Sequence, residues 1–273
     1  MPAAENPLLL DPVRQRIVQI DVEPRNASWS FPNAVTLLGD ARLTLAALGD
    51  ALADVPTSAR ADRKARLDDA RLEHGHFDAP ELQADKVPIL PQRVIGALQQ
   101  ALPDDGIVTC DAGENRIFMT HYFQSKREAT FIQPAGIGGM GYAVPAALAA
   151  KLVHPDRAVV AVCGDGGFAI GMNGLMTARE EDLPIVVVCL NNQALGWVKH
   201  GQRDRQIACD FAPFDHAAVA RAMGIAGVRV EEAVDLGPAI ERAIASGEPT
   251  VVDVRTSLEE SFERVTSPLM RRR

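Results

Sequence analysis

From residue 87 onward, short apolar runs alternate with longer stretches in which apolar residues recur at helical spacing. Residues 106–111, 129–133, 160–164, the run ending at Asn191, 227–230 and 250–255 read as strands. Residues 91–102, 142–152, the stretch after Gly164, 214–223 and 236–245 read as helices between them. The two central runs, VAVCG and IVVVCLN, are short and rich in Val, as suits neighbouring parallel strands covered on both faces. Six strands alternating with helices predict an α/β fold built on a doubly wound parallel six-stranded sheet.

The first 86 residues have another texture. Residues 17–22 and 35–40 read as strands and 41–52 as a helix, too few elements to bury much surface alone. Residues 57–86 mix both charges closely and are broken by Gly75 and Pro80, which suits a solvated helix and a linker. The pattern predicts a partial α/β domain over 1–56, a charged linker over 57–86 and a complete α/β domain over 87–273.

Composition narrows the function. A formal net charge of −8 argues against non-specific nucleic-acid or membrane binding, and the Arg271-Arg272-Arg273 tail is too short to reverse that. No apolar run approaches membrane-spanning length, and the N-terminus lacks a basic start followed by a signal-length apolar core. Cys110, Cys163, Cys189 and Cys209 show no paired spacing, which fits a reduced, cytoplasmic compartment. His74-x-His76 lies on a polar segment with no nearby partner and reads as solvated.

The chemistry concentrates at the ends of the two Val-rich runs. One ends in Gly164-Asp165-Gly166, the other in Asn191-Asn192. Adjacent parallel strands bring their carboxyl ends to one sheet edge, where ligands bind, so Asp165 and Asn192 are expected side by side. Oxygen donors without Cys or His suit Mg²⁺, which usually shares its shell with phosphate oxygens. Gly166 and Gly167 let the backbone approach such a phosphate, and the following helix begins with free N–H groups. Taken singly, Asp165 reads equally as a helix cap and Asn-Asn as a turn. Gly136–Gly141 satisfies G-x-G-x-x-G, but Pro134 interrupts the approach and no strand-ending acid follows at the distance a dinucleotide needs, so NAD-dependent oxidoreduction is the weaker reading.

Gly-Asp-Gly, a helix, a strand and Asn-Asn at this distance resemble the cofactor motif of thiamine-diphosphate-dependent enzymes. The wider likeness is to the acetolactate synthase, benzoylformate decarboxylase and pyruvate oxidase group, and to its C-terminal part only. That resemblance implies thiamine diphosphate and Mg²⁺ as cofactors, with Asp165, Asn192 and the carbonyl of Ala194 as metal ligands. It implies that Gly164, Gly166 and Gly167 border the diphosphate, that Asn115 donates to its far end, and that Met140 wedges the bent cofactor while the Gly138 carbonyl receives its amino group. Trp197 and Val198 are then substrate-pocket residues, with Lys199 and His200 as candidates to meet a substrate carboxylate. Glu114 stands where the synthases favour glutamine and Gly201 where they carry a pocket tryptophan.

The implied activity is decarboxylation or carboligation of a 2-keto acid or related carbonyl compound through an enamine. In the family, the glutamate that activates the cofactor belongs to an N-terminal pyrimidine-binding domain that these 273 residues do not resemble. The expectation is therefore a chain inactive in isolation: either a truncated one, or one working as a homo-oligomer and/or beside a chain that carries that domain. The rival is a non-catalytic thiamine-diphosphate-binding or regulatory subunit or truncated pseudoenzyme.

Overall fold

A computed structural model of the protein describes residues 14–55, 60–74, 77–261 and 263, which leaves His76 and the triple-arginine tail outside the described residues. The chain divides into two compact units after His74. In the first, β1 (Val18–Asp21) pairs in parallel with β2 (Val35–Leu38), Val18 opposite Val35. Helix α1 (Ala41–Ala51) follows, started by Asp40, whose carboxylate accepts from the Leu43 N–H at 3.0 Å. Helix α2 (Arg60–His74) is a charged helix carrying a Lys64–Asp68 pair one turn apart. No described hydrophobic side chain of this unit is fully buried; Leu43 is 62% exposed. Two strands and α1 cannot cover their own apolar faces.

The second unit contains α3 (Pro91–Ala101), β3 (Ile107–Cys110), α4 (Glu114–Tyr122), β4 (Phe131–Ile132), α5 (Ala143–Val153), β5 (Val159–Gly164), α6 (Asp165–Gly171), α7 (Gly174–Glu180), β6 (Ile185–Asn191), α8 (Gly196–Gln202), α9 (His216–Ala222), β7 (Ala226–Val230), α10 (Ala233–Ala245) and β8 (Thr250–Arg255). Its strands form one parallel sheet in the order β4-β3-β5-β6-β8-β7, the six-stranded α/β architecture that the alternation predicts. β5 and β6 are neighbours, with Cys163 opposite Cys189.

Side chains alternate between two cores, as strand geometry requires. Val160, Val162, Val186 and Val188 pack with Ile95, Leu98, Phe118 and Ile240 on one face. Val159, Ala161, Ile185 and Val187 pack with Ala147, Phe168 and Leu175 on the other. Each such side chain contributes about 1.5–3 kcal/mol by leaving water. All four cysteines are free and buried within the unit, and burial pushes the Cys110 and Cys189 thiols up. Among the described residues no helix is long and apolar enough to cross a membrane.

Local differences from the sequence pattern have physical causes. The single helix expected after β5 is two short ones, broken at Met172-Asn173 between Gly171 and Gly174, where helix propensity is low. The helix expected over 214–223 starts at His216 because Asp215 caps it, accepting from the Ala218 N–H at 2.7 Å. α4 and α8 were not legible as helices. α4 begins at Gly113 without a side-chain cap, and α8 carries glycine at two of its seven positions.

The strand order reverses between β3 and β5: the chain leaves β3 for the β4 edge, then returns to the other side of β3. Ligands bind outside the carboxyl ends at such a reversal. Asp111, one residue past β3, organises this end of the sheet. Its buried carboxylate accepts from the N–H groups of Ala112 (2.8 Å), Gly141 (2.9 Å) and Ala143 (3.0 Å). Burial lifts this carboxyl above its ordinary range, opposed by those donors. The loop it grips passes through Gly141 at φ +85°, where a Cβ would lie 2.4 Å from Ile170 Cγ2, so only glycine fits.

Gly96 in α3 faces a similar limit from a backbone atom, since a Cβ there would sit 2.3 Å from the Leu82 carbonyl oxygen. Gly96→Ala gains about 1 kcal/mol of helix propensity, but overpacking costs about 1–3 kcal/mol. The expected result in denaturant titration is a net loss of about 1 kcal/mol; a midpoint at or above wild type would contradict this packing.

Candidate functional site

At the carboxyl edge of the sheet lies a cavity of about 300 Å³. Residues following β3 (Ala112–Arg116), β5 (Gly164–Gly167), β6 (Asn192, Ala194–Val198) and β8 (Thr256, Ser257) line it, together with Gly138 and Met140. Most of the residues singled out from sequence therefore face one space: Asn115, Gly138, Met140, Gly164, Asp165, Gly166, Gly167, Asn192, Ala194, Trp197 and Val198. Lys199 and His200 are not among the lining residues.

Asp165 stitches the two central strands together. It opens α6 and is buried. Its Oδ2 accepts from the N–H groups of Asn192 (3.0 Å) and Gln193 (3.2 Å), just past β6. Its Oδ1 accepts from His216 Nε2 at 3.0 Å. Gln193 adopts φ +60°, a left-handed turn after which Asn192 Oδ1 accepts from the Ala194 N–H at 3.1 Å. A carboxylate, a carboxamide and a backbone carbonyl are thus grouped at the tips of adjoining strands. These are oxygen donors of the kind a hard divalent cation takes.

The floor and roof of the cavity have matching shapes. A Cβ on Gly166 would lie 2.9 Å from Leu195 Cδ2 and 3.4 Å from Met140 Sδ, so these two apolar side chains flank a bare stretch of backbone. Gly167 has no room for a side chain either, as its Cβ would lie 2.9 Å from Asp111 Cγ. Asn115 is buried and donates from Nδ2 to the Asp111 carbonyl at 3.1 Å, so its amide is already oriented by β3. Gly138 takes φ +72°.

The charged residues resolve into pairs. Glu114 is 6% exposed and lines the cavity, but it turns to His200, with Oε1 2.7 Å from Nδ1. His200 Nε2 faces the Leu258 carbonyl at 3.0 Å and so must donate there. The Nδ1–Oε1 contact ties Glu114 to α8. Lys199 is paired with Asp210. Arg116, a cavity-lining cation, donates to the Pro134 carbonyl at 3.1 Å and stands 5.9 Å over the Trp197 ring. Sequence reasoning missed Arg116, Asp111 and His216. The positions of the first two on either side of Glu114, just past β3, were available as a signal. Nothing in an Ala-rich helix marks His216.

One further cluster lies beneath the site. A ligand atom from each of Cys189, His216 and Asp253 falls within 4.8 Å of the others, and all three residues are buried. Asp253 is already bonded by Asn191 Nδ2 (2.9 Å) and the His216 N–H (3.1 Å), and burial keeps Cys189 a thiol rather than a thiolate. It is a packed polar core, not a metal centre.

Residues 111–254 match the family described as the thiamine pyrophosphate enzyme, C-terminal TPP binding domain. Among curated relatives, a protein of Bacillus subtilis, YdaP, assigned as thiamine pyrophosphate-containing, is 34% identical over 87% of this chain and 41% of its own length. A chain assigned as the acetolactate synthase large subunit of Methanococcus aeolicus is 29% identical over 87% of this chain and 42% of its own. One assigned as the 2-ketoarginine decarboxylase AruI of Pseudomonas aeruginosa is 32% identical over 89% and 43%. The chain spans less than half the length of each of these relatives. With the match covering just over half its residues, the chain belongs to the thiamine pyrophosphate enzyme family and carries that family's C-terminal cofactor-binding domain.

Proposed function

We propose that the second unit binds thiamine diphosphate through Mg²⁺ and forms the diphosphate-holding half of an enzyme acting on 2-keto acids. The observation that carries this reading is the oxygen set at adjoining strand tips, Asp165 with Asn192 and Ala194, beside a glycine floor in a cavity of suitable size. Mg²⁺ keeps open positions for phosphate oxygens when proteins hold it by one or two carboxylates, and this set leaves such positions. When bound, the cofactor supplies an electron sink for making and breaking carbon–carbon bonds beside a carbonyl.

The residues of this chain bind, orient and enclose. Asp165, Asn192 and the Ala194 carbonyl hold the cation, while Gly164, Gly166 and Gly167 leave space for the diphosphate. Met140 and Leu195 would flank the apolar middle of the ligand, and the Gly138 carbonyl would accept from its amino group. Asn115 sets the far end. Trp197 and Val198 wall the space left for substrate and exclude water from it. Arg116 is the cation available to an anionic substrate, and the Glu114–His200 pair lets a carboxyl sit near the diphosphate without net repulsion. The working protein is a cytoplasmic homo-oligomer, or an assembly with a chain that carries the pyrimidine-binding domain.

Two experiments test this reading. Trp197 fluorescence in the 273-residue chain is expected to quench with thiamine diphosphate only when Mg²⁺ is present, and Asp165→Ala abolishes the quench. Unchanged affinity in that variant would refute the proposal. The same chain is expected to consume pyruvate or benzoylformate negligibly by itself, and brisk turnover would contradict the assignment of the activating glutamate elsewhere.

The charge pairing generates its own expectation. His200→Ala removes the imidazole partner of the Glu114 carboxyl and should weaken thiamine diphosphate binding by up to about tenfold, the equivalent of ~1.4 kcal/mol. Adding Glu114→Gln to that variant should recover most of the loss. Equal binding by His200→Ala and wild type in calorimetric titration would show that the pair does no electrostatic work.

A further inference from the structure

We infer that His216 is a positioning residue for the cation-binding carboxylate: its Nε2 donates to Asp165 Oδ1 and fixes the orientation of that side chain, leaving it one lone pair to offer a cation. This inference rests on the reading of Asp165 as a Mg²⁺ ligand. His216 opens α9, the second of two helices between β6 and β7, far from the strand tips in sequence. Two bonds fix where its backbone sits: its own N–H donates to Asp253 Oδ2 at 3.1 Å, and Asp253 Oδ1 accepts from Asn191 Nδ2 at 2.9 Å, at the end of β6. The imidazole is 2% exposed and lies between Phe168, with ring centroids 4.7 Å apart, and Phe214, at 5.0 Å.

Packing does not account for histidine here. The rings of Phe168 and Phe214 flank the imidazole, Cys189 and Asp253 lie close by, and Nδ1 finds no hydrogen-bond partner among the described residues. A phenylalanine would fill the slot without burying an unsatisfied nitrogen. What histidine supplies and phenylalanine lacks is the Nε2–H toward Asp165, 3.0 Å away. With Nδ1 unpartnered, Nε2 is the nitrogen that carries the proton. The Asp165 carboxylate thereby receives three donors, two from the backbone past β6 and one from α9. Hydrogen bonds to a ligating carboxylate set its orientation, and their loss typically costs about 10–100-fold in metal affinity.

The test compares His216→Phe, His216→Gln and Asp165→Asn in the full 273-residue chain, with Trp29→Phe throughout so that Trp197 alone reports. Two quantities are read: the Mg²⁺ concentration giving half-maximal quenching by thiamine diphosphate, and direct Mn²⁺ binding by electron paramagnetic resonance. Metal-free thermal melts serve as the folding control. His216→Phe is expected to raise the Mg²⁺ requirement roughly 10–100-fold. His216→Gln, whose Nε2 can stand in for the imidazole donor, is expected nearer to wild type although it packs less well. A packing role predicts the reverse order, with Phe tolerated and Gln impaired, and that order would overturn the inference. If His216→Phe fails to fold, His216→Leu takes its place in the same comparison. If wild type itself shows no metal-dependent quenching, the cofactor reading fails. If Asp165→Asn abolishes it while His216→Phe retains the wild-type requirement, only the role of His216 falls.

Discussion

The structure depends on one clasp, the Asp165 carboxylate held by the two N–H groups that follow β6. A parallel sheet covered on both faces is mostly apolar along its length, and its polar groups concentrate toward the strand tips. β5 and β6 run side by side in a register that sets Gly164 opposite Leu190, which brings the first residue of α6 level with the turn at Asn192. The left-handed Gln193 then bends the chain back so that consecutive N–H groups converge on one oxygen. The grip is assembled mostly from backbone, and that backbone is fixed by the valine core beneath it.

The site is acidic, yet each buried carboxyl has donors. Asp111 takes three N–H groups and by doing so fastens the glycine loop that carries Met140. Asp253 takes Asn191, the His216 N–H and Arg229, and so fixes the start of α9. Glu114 takes His200. Burial raises Asp111 and Asp253 despite these donors. A carboxyl raised in the folded state binds more protons folded than unfolded, so its contribution to stability is fullest below its unfolded value and falls as pH rises through the folded one. These acids cost stability at neutral pH and hold the loops in place in return.

Much of this was legible in the sequence because it rests on periodicity. Buried parallel strands announce themselves as Val-rich runs, and their ends lie on one edge whatever the side chains. The grouping of Asp165 with Asn192 followed from that alone. Glycines around Met140 marked a loop that a dinucleotide motif mimics, and only the gripping acid Asp111, thirty positions before Gly141, explains its shape. What escaped was what tertiary contact imposes. α4 and α8 are helices against weak local propensity, and His216 reaches Asp165 across 51 positions with no pattern to connect them.

The oxygen set at the strand tips is built from positions that the sheet dictates. α8 is different in kind. It is seven residues long and is held by side-chain ties at its far end, Lys199 to Asp210 and His200 to both Glu114 and the Leu258 carbonyl. Its first turn presents Trp197 and Val198 to the cavity. Substitutions among those ties would re-aim that wall. Relatives assigned as a synthase and as a decarboxylase stand at similar distance from this chain, and α8 is the part of the cavity wall held mainly by side chains.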